Sequence, residues 1–561
     1  MDYDLILRGG MIVDGTGTPG RRGDVAIREG RIAALDHVEG KAARSVDVAG
    51  RVVAPGFVDI HTHYDAQIFW DPMLTISPWH GVTTVVMGNC GFGVAPTRPE
   101  HRSLIVRTLE KVEGMSVEAL EAGLGTEWPF ETFPQYLDAV ERRGSAINVG
   151  ALVGHTPIRM YVMGEAATER AATAEEVERM RAIVREALAA GAVGFATSKA
   201  PTHVGYEGRP VPSRVAELSE IEALAATLGE SGEGVMQATF GPGFFVEEFA
   251  DIARRIHRPV TWTALLAGLM GAGSHRPVLE RTAELQRSGV EVVPQVSCRP
   301  LNFEFQFEAP FLFESMSLFR PISAADHAGK MRIYADPDFR RAFRDKAGTG
   351  GKSRFAKLWE VTWISQYAAD PDLEERTVAD VARERGADPV DVALDLALAT
   401  DLQARFRMAV VNTDESEVEE LLQHPTTILG LSDAGAHASQ LCDACFSTDL
   451  LARWVRGKRA LSMEQAVRML TSRPAEVFGI RDRGRLAVGV PADVVVFDPD
   501  TVAAGRLRRV HDLPAGADRL VADALGIDLV IVNGTVIREH GRDAELDGRL
   551  PGRLLRHGHA S

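Results

Sequence analysis

Pro55-Gly56-Phe57-Val58-Asp59-Ile60-His61-Thr62-His63 is an apolar, strand-forming run that ends on two histidines one residue apart. Side chains alternate faces along a strand, so His61 and His63 point the same way. Two imidazoles side by side at a strand end make half of a metal site. Outward from this stretch, residues 55–480 alternate strand-like and helix-like segments, the pattern of parallel strands with helical crossovers. Candidate strands fall at 52–60, 83–88, 146–153, 192–197, 234–239, 259–264, 290–296 and 427–431. Eight is the number that closes a (β/α)8, TIM-like barrel. Three helices announce their starts by a hydroxyl residue with Glu or Gln three positions on: 173–190 (Thr173, Glu176), 416–423 (Ser416, Glu419) and 463–471 (Ser462, Gln465).

The two ends of the chain carry short strands of another kind. Leu5-Ile6-Leu7 precedes a Gly9-Gly10 turn, and the strands at 24–27 and 31–35 flank Glu29-Gly30, a hairpin signal. Asp528-Leu529-Val530-Ile531-Val532-Asn533-Gly534-Thr535-Val536-Ile537 echoes residues 4–13. The expectation is a small β-sandwich domain built from 1–54 and 481–561, bracketing a barrel over 55–480. The stretch from about 300 to 400 breaks the barrel rhythm and opens with Phe303, Phe305, Phe307, Phe311 and Phe313. It is expected as a large insertion at the barrel mouth, where lids over active sites are commonly built; a structural extension or dimer contact is the alternative.

A formal net charge of −16 argues against nucleic acid or an anionic membrane as a partner. No apolar run reaches the ~18 residues of a membrane helix, and the acidic start Met1-Asp2-Tyr3-Asp4 lacks the features of a signal peptide. Four cysteines in 561 residues point to a reducing cytoplasm without a disulfide framework. The expected partner is a small molecule, with the β domain and the insertion offering surfaces for a homo-oligomer.

The barrel start from Ala54 to His63, the terminal β domain, and Leu431-Ser432-Asp433 after the last strand resemble the amidohydrolase superfamily. Gly81-Val82-Thr83-Thr84-Val85-Val86-Met87-Gly88-Asn89-Cys90-Gly91 and Asn148-Val149-Gly150-Ala151-Leu152-Val153-Gly154-His155 are similar to its N-acyl-D-amino-acid deacylase (D-aminoacylase) branch. The similarity spans nearly the whole chain, least firmly at 300–400. It implies that Cys90 is a thiolate metal ligand, a role thiolates suit; a small buried cysteine is the plain alternative. Elsewhere in the superfamily a lysine in the place of Lys199, after strand four, carries a carbamate that bridges two metals. Such a carbamate needs burial to lower the lysine pKa; substrate-carboxylate binding or an ion pair are the other roles open to Lys199.

All these residues follow strands, and in a parallel barrel those ends converge on one face. Asp433 ends the last strand. A carboxylate there can touch a metal and take a proton from metal-bound water, whose pKa the ion lowers toward ~7. It can then pass that proton to the leaving nitrogen of an amide. The family also leads one to expect a histidine after strand five and another after strand six, yet Val235-Met236-Gln237-Ala238-Thr239 and Val260-Thr261-Trp262-Thr263-Ala264 supply neither. One divalent ion, with zinc suiting His plus Cys, or an unusual pair is therefore expected. His155 and His203 are substitutes or substrate contacts. An N-acyl amino acid carries a free carboxylate, for which Arg299 is the best-placed partner and Arg159 the second. Tyr64 and His437 are candidates to reach the oxyanion. Cys442 and Cys445 have C-x-x-C spacing without a second pair, so no zinc knuckle is expected.

The sequence thus points to a metal-dependent hydrolase of a linear amide. The expected substrate class is an N-acyl amino acid, with the D configuration only what the resemblance to the D-aminoacylase branch implies, attacked by metal-bound hydroxide with Asp433 as general base and acid. A cyclic-amide hydrolase acting on hydantoins or imides, with a carbamylated Lys199, is the first alternative. A catalytically inactive scaffold is the second, and the retained H-x-H and Asp433 stand against it.

Overall fold

Gly56 divides the opening stretch in two. In the computed structural model, which describes residues 1–314, 316–348, 358–546 and 548–560, Val52–Pro55 (β5) and Phe57–Asp59 (β6) lie in different sheets. A Cβ at position 56 would sit 2.1 Å from Thr83 Oγ1. Glycine is what lets the chain pass that close as it leaves one sheet for the other. The single strand expected over 52–60 is therefore two.

The termini fold together. β1 (Tyr3–Ile12), β2 (Arg21–Arg28), β3 (Arg31–Asp36), β4 (Ala42–Asp47) and β5 share a nine-stranded mixed sheet with β17 (Val494–Phe497), β20 (Ile527–Val532), β21 (Thr535–Glu539) and β22 (Arg542–Asp543). The order is β22-β21-β20-β17-β5-β1-β2-β3, with β4 also on β1. β2 runs along one edge of β1, while β4 and β5 share the other, β4 at Tyr3–Arg8 and β5 at Met11–Ile12. The sheet forks there, so the expected sandwich is built from one branching sheet. The echoed segments differ in detail. Asn533-Gly534 turns a hairpin between β20 and β21, whereas Gly9-Gly10 makes a bulge inside the continuous β1. A Cβ on Gly10 would lie 2.6 Å from Val53 Cγ2, so the neighbouring strand packs closely at this bulge. A separate hairpin is formed by β18 (Ala503–Val510) and β19 (Arg519–Leu525).

The barrel strands follow in chain order: β6, β7 (Val82–Met87), β8 (Asn148–Gly154), β9 (Gly194–Ser198), β10 (Val235–Thr239), β11 (Val260–Thr263), β12 (Val292–Val296) and β16 (Ile428–Leu429). Each pairs in parallel with the next. β6 and β16 meet just beyond their ends. Thr62 bridges Ala434, the His63 N–H donates to the Ala434 carbonyl at 2.7 Å, and the Ser432 hydroxyl donates to the His61 carbonyl at 3.0 Å. The closure thus falls at the H-x-H.

The helices Ala174–Ala189 and Met463–Leu470 begin with both halves of the expected capping boxes. The third, Glu415–Gln423, starts earlier than its sequence suggests, because Asp414 takes the N-cap and accepts from the N–H groups of Ser416 and Glu417. A carboxylate opposes the positive end of the helix better than the Ser416 hydroxyl can.

Pro300–Thr413 is a compact unit of its own. Its antiparallel sheet has the order β13 (Leu301–Gln306), β15 (Arg405–Val411), β14 (Thr362–Gln366). The aromatic run seen in the sequence is this unit's own core: Phe305, Phe307 and Phe313 pack with Phe319, Phe343 and Phe406. Residues 315 and 349–357 of the expected insertion lie outside the described residues. Among the described residues no helix is long and apolar enough to cross a membrane.

Candidate metal centre

Backbone pairing continues past β6. The Thr62 N–H donates to the Val86 carbonyl at 3.1 Å, so His61 and His63 stand on extended chain and share one face, as alternation requires. Cys90 reaches the same point from the turn after β7. That turn is tight: Gly88 has φ +86°, and a Cβ there would lie 2.2 Å from the Leu152 carbonyl oxygen. The Cys90 N–H is held by Gln237 Oε1 at 2.7 Å. The ligand atoms of His61, His63 and Cys90 all lie within 4.8 Å of one another. Asp433 completes the group. Its Oδ1 is 3.2 Å from His61 Nε2 and 3.7 Å from His63 Nε2, and Cys90 Sγ is 3.5 Å from His61 Nε2. Asp433 also opens the group outward, with a side chain 23 % exposed against 1 % for His61 and 6 % for His63.

Two imidazole nitrogens, a thiol and a carboxylate facing one buried point form a donor set that suits zinc. The electrostatics favour positive charge at that point. Burial alone would raise the Cys90 thiol, yet the charges of His61 and His63 and their hydrogen bonds pull it down to about 6. Burial would likewise raise the Asp433 carboxyl, and His63, His61 and His437 instead hold it well below the usual carboxylate range. Burial opposes charge on His63, but Glu113, Asp433 and Cys90 outweigh it and push His63 well above its ordinary value.

Behind the ligands stands a second set of groups that the sequence did not flag. His61 Nδ1 lies 2.8 Å from Gln295 Oε1, and Gln295 is fixed by donating to Thr261 Oγ1 at 3.2 Å. His63 Nδ1 lies 3.1 Å from Glu113 Oε1. Both rings therefore present Nε2 to the centre. The place of Gln295 at the end of β12 was a usable signal; Glu113, in the long β7–β8 connection, carried none.

The other expected residues fall elsewhere. Lys199 is not among the converging ligands: its Nζ donates to the Arg214 and Ala216 carbonyls at 2.6 and 2.7 Å. A carbamate there would set an anion against two acceptor oxygens, so the expected bridging role has no support in this geometry. At the ends of β10 and β11, where the family pattern puts histidines, Thr263 donates to Thr239 at 3.1 Å. His155 and Arg159 belong to a buried network. His155 contacts Thr197 and Glu220, each at 2.8 Å, and Arg159 pairs with Glu220 while donating to the Arg170 carbonyl at 2.9 Å. Arg299 pairs with Asp443 at 2.9 Å and with Asp449 at 3.1 Å. The Tyr64 hydroxyl hydrogen-bonds Ser77 Oγ at 2.7 Å, and burial raises its pKa. His437 does lie beside the centre: it feels the charges of Asp433, Glu113 and His63, and burial lowers its pKa. His203 packs against Phe92, with ring centres 5.0 Å apart and planes tilted by 54°, and contacts Ser198 Oγ at 2.7 Å.

Comparison with known proteins identifies the family. The model of the "Amidohydrolase family" matches residues 44–293 and 325–538. The N-acyl-D-glutamate deacylase of Alcaligenes xylosoxydans xylosoxydans is 32% identical over 562 residues, 99% of this chain and 96% of its own length. A crystal structure of N-acyl-D-glutamate deacylase from Bordetella bronchiseptica, complexed with zinc and a phosphonate mimic of the tetrahedral intermediate, superimposes with a TM-score of 0.66. It is 30% identical, with 99% of each chain covered. A D-aminoacylase described as having a binuclear metal centre, with one-metal activation and second-metal attenuation, gives a TM-score of 0.67 and 28% identity. There the match covers 99% of this chain and 100% of the other.

Proposed function

This chain belongs to the amidohydrolase family, and from that membership we propose that it is a zinc-dependent deacylase of N-acyl-D-amino acids. As a family member it is a metal-dependent hydrolase of a non-peptide carbon–nitrogen bond. The observation that carries the substrate class is likeness over the full chain to N-acyl-D-amino-acid deacylases, together with the convergence of His61, His63, Cys90 and Asp433.

A zinc ion held by these four groups would polarise the acyl carbonyl and acidify a water molecule. The protein's own contribution is orientation and proton movement. Gln295 and Glu113 hold the two imidazoles with Nε2 inward. Asp433, the most exposed of the four, accepts a proton at its carboxylate and delivers it to the leaving nitrogen, which an amide requires because an amine anion leaves poorly. His437, whose pKa burial lowers, would donate a hydrogen bond to the oxygen on which charge develops. A single ion is supported by two features. The threonines at the ends of β10 and β11 bond each other, and Lys199 is occupied by two carbonyls. A cytoplasmic location goes with four buried, free cysteines.

The test is hydrolysis of N-acetyl-D- and N-acetyl-L-amino acids and of cyclic imides by chelated and zinc-reloaded protein. Zinc-dependent release of D-amino acids is expected. Activity on cyclic imides alone, or none with zinc restored, would overturn the proposal.

A further inference from the structure

We propose that Glu113 is a positioning residue for the metal ligand His63 and that its carboxylate sets how tightly the centre holds its ion. This rests on the metal-centre reading above. The two histidines of the H-x-H meet different partners at Nδ1. His61 faces the neutral amide of Gln295 at 2.8 Å, whereas His63 faces a carboxylate at 3.1 Å. A carboxylate behind a ligating imidazole fixes its tautomer and strengthens its outward nitrogen as a donor.

Glu113 is buried at the end of its helix with its carboxylate turned toward His63. Its side chain is 8 % exposed, and His63 is the one ion-pair partner recorded for it. Its Oε2 is buried without a hydrogen bond, and the approach to His63 is an oblique ion pair, since Nδ1 makes no linear hydrogen bond. A carboxylate held out of water with an unpartnered oxygen is costly unless a positive charge or a donor answers it. A proton on His63 answers that charge in the metal-free protein, and a cation bound through His63 would take over the same role.

The main chain around Glu113 is fastened as well. It is the last residue of the helix Arg102–Glu113, which ends on Gly114 at φ +63°. The His437 N–H donates to the Glu113 carbonyl, and a Cβ on Gly114 would lie 3.2 Å from His437 Cα. The Ser439 hydroxyl donates to the Gly114 carbonyl at 3.5 Å. One helix end thus touches the ring of ligand His63 and is tied to the loop that follows ligand Asp433, so it can hold both sides of the barrel closure.

The experiment is zinc affinity of chelated protein, read by competition with a chromophoric chelator, alongside the melting midpoint of the metal-free protein. Glu113→Gln should weaken zinc binding by about 10–100-fold with the metal-free midpoint unchanged, and Glu113→Asp should recover part of the loss. Glu110→Gln, on the same helix, should match the wild type. Zinc affinity of Glu113→Gln within about twofold of wild type would overturn the inference alone. So would a loss of affinity matched by a fall in the metal-free midpoint, which would mark a structural role. Wild-type protein that binds no zinc would instead overturn the metal-centre reading on which the inference stands.

Discussion

Asp433 is at once within reach of both imidazoles and the most open of the four converging groups, which is where a residue must stand to handle a proton at a substrate. Asp433→Asn should lower kcat by about 10²–10⁴-fold in protein whose zinc content is verified; a loss under tenfold contradicts the assigned role. His155 and Arg159 illustrate why the sequence could not sort substrate contacts from structural charges. Their partner, Glu220, lies 65 and 61 positions away, and only folding brings it to them. Burial would raise the Glu220 carboxyl, but His155 and Arg159 hold it at about 2 against an ordinary 4.5. A folded-state pKa below the unfolded one adds stability that is complete above about pH 4.5 and drains away as pH falls toward 2. Urea midpoints measured across that window should therefore fall more steeply in wild type than in Glu220→Gln. The variant itself should lose about 3–5 kcal/mol at neutral pH, because Arg159 is left buried without its carboxylate. Equal slopes would contradict this account.

At the scale of elements, the order of strands was written in the periodicity, while their joints were written only in part. The run 52–60 reads as one strand because apolar residues flank Pro55-Gly56 on both sides; that dipeptide is a local break signal, and the approach of Thr83 requires glycine there. The helix near 415 was expected to open at Ser416, and the structure instead gives the N-cap to Asp414, whose charge suits the helix start. The turn Gly88-Asn89-Cys90-Gly91 was legible, since glycines beside a cysteine after a strand imply close backbone approach. Its strain is testable. Gly88→Ala forces a side chain onto the Leu152 carbonyl at φ +86°, and it should lower both the melting midpoint and zinc occupancy. Gly125→Ala, at φ +72° with nothing within 4 Å, should cost about 1–3 kcal/mol of backbone strain and leave zinc occupancy intact. Zinc loss equal in the two variants would contradict the role given to the turn.

At the scale of the molecule, the sequence disclosed that both termini belong to one β domain and that the chain departs from the barrel near residue 300. The aromatic run there supplies rings to the core of a separate unit. Leu301 pairs with Val411, so this unit begins and ends at one place, the geometry that tolerates insertion. Residues 300–413 expressed alone should unfold cooperatively in urea, followed by Trp359 and Trp363 fluorescence; a broad, non-cooperative loss of signal would contradict an independent core. The central claim concerns the whole chain: one zinc, held by His61, His63, Cys90 and Asp433, supports deacylation of an N-acyl-D-amino acid. The direct measurement is a zinc titration of chelated protein, with metal per chain and hydrolysis of N-acetyl-D-amino acids read on the same samples. Activity should rise in proportion to zinc and level off at about one ion per chain. Activity that needs two ions, or that never appears at any loading, would contradict it.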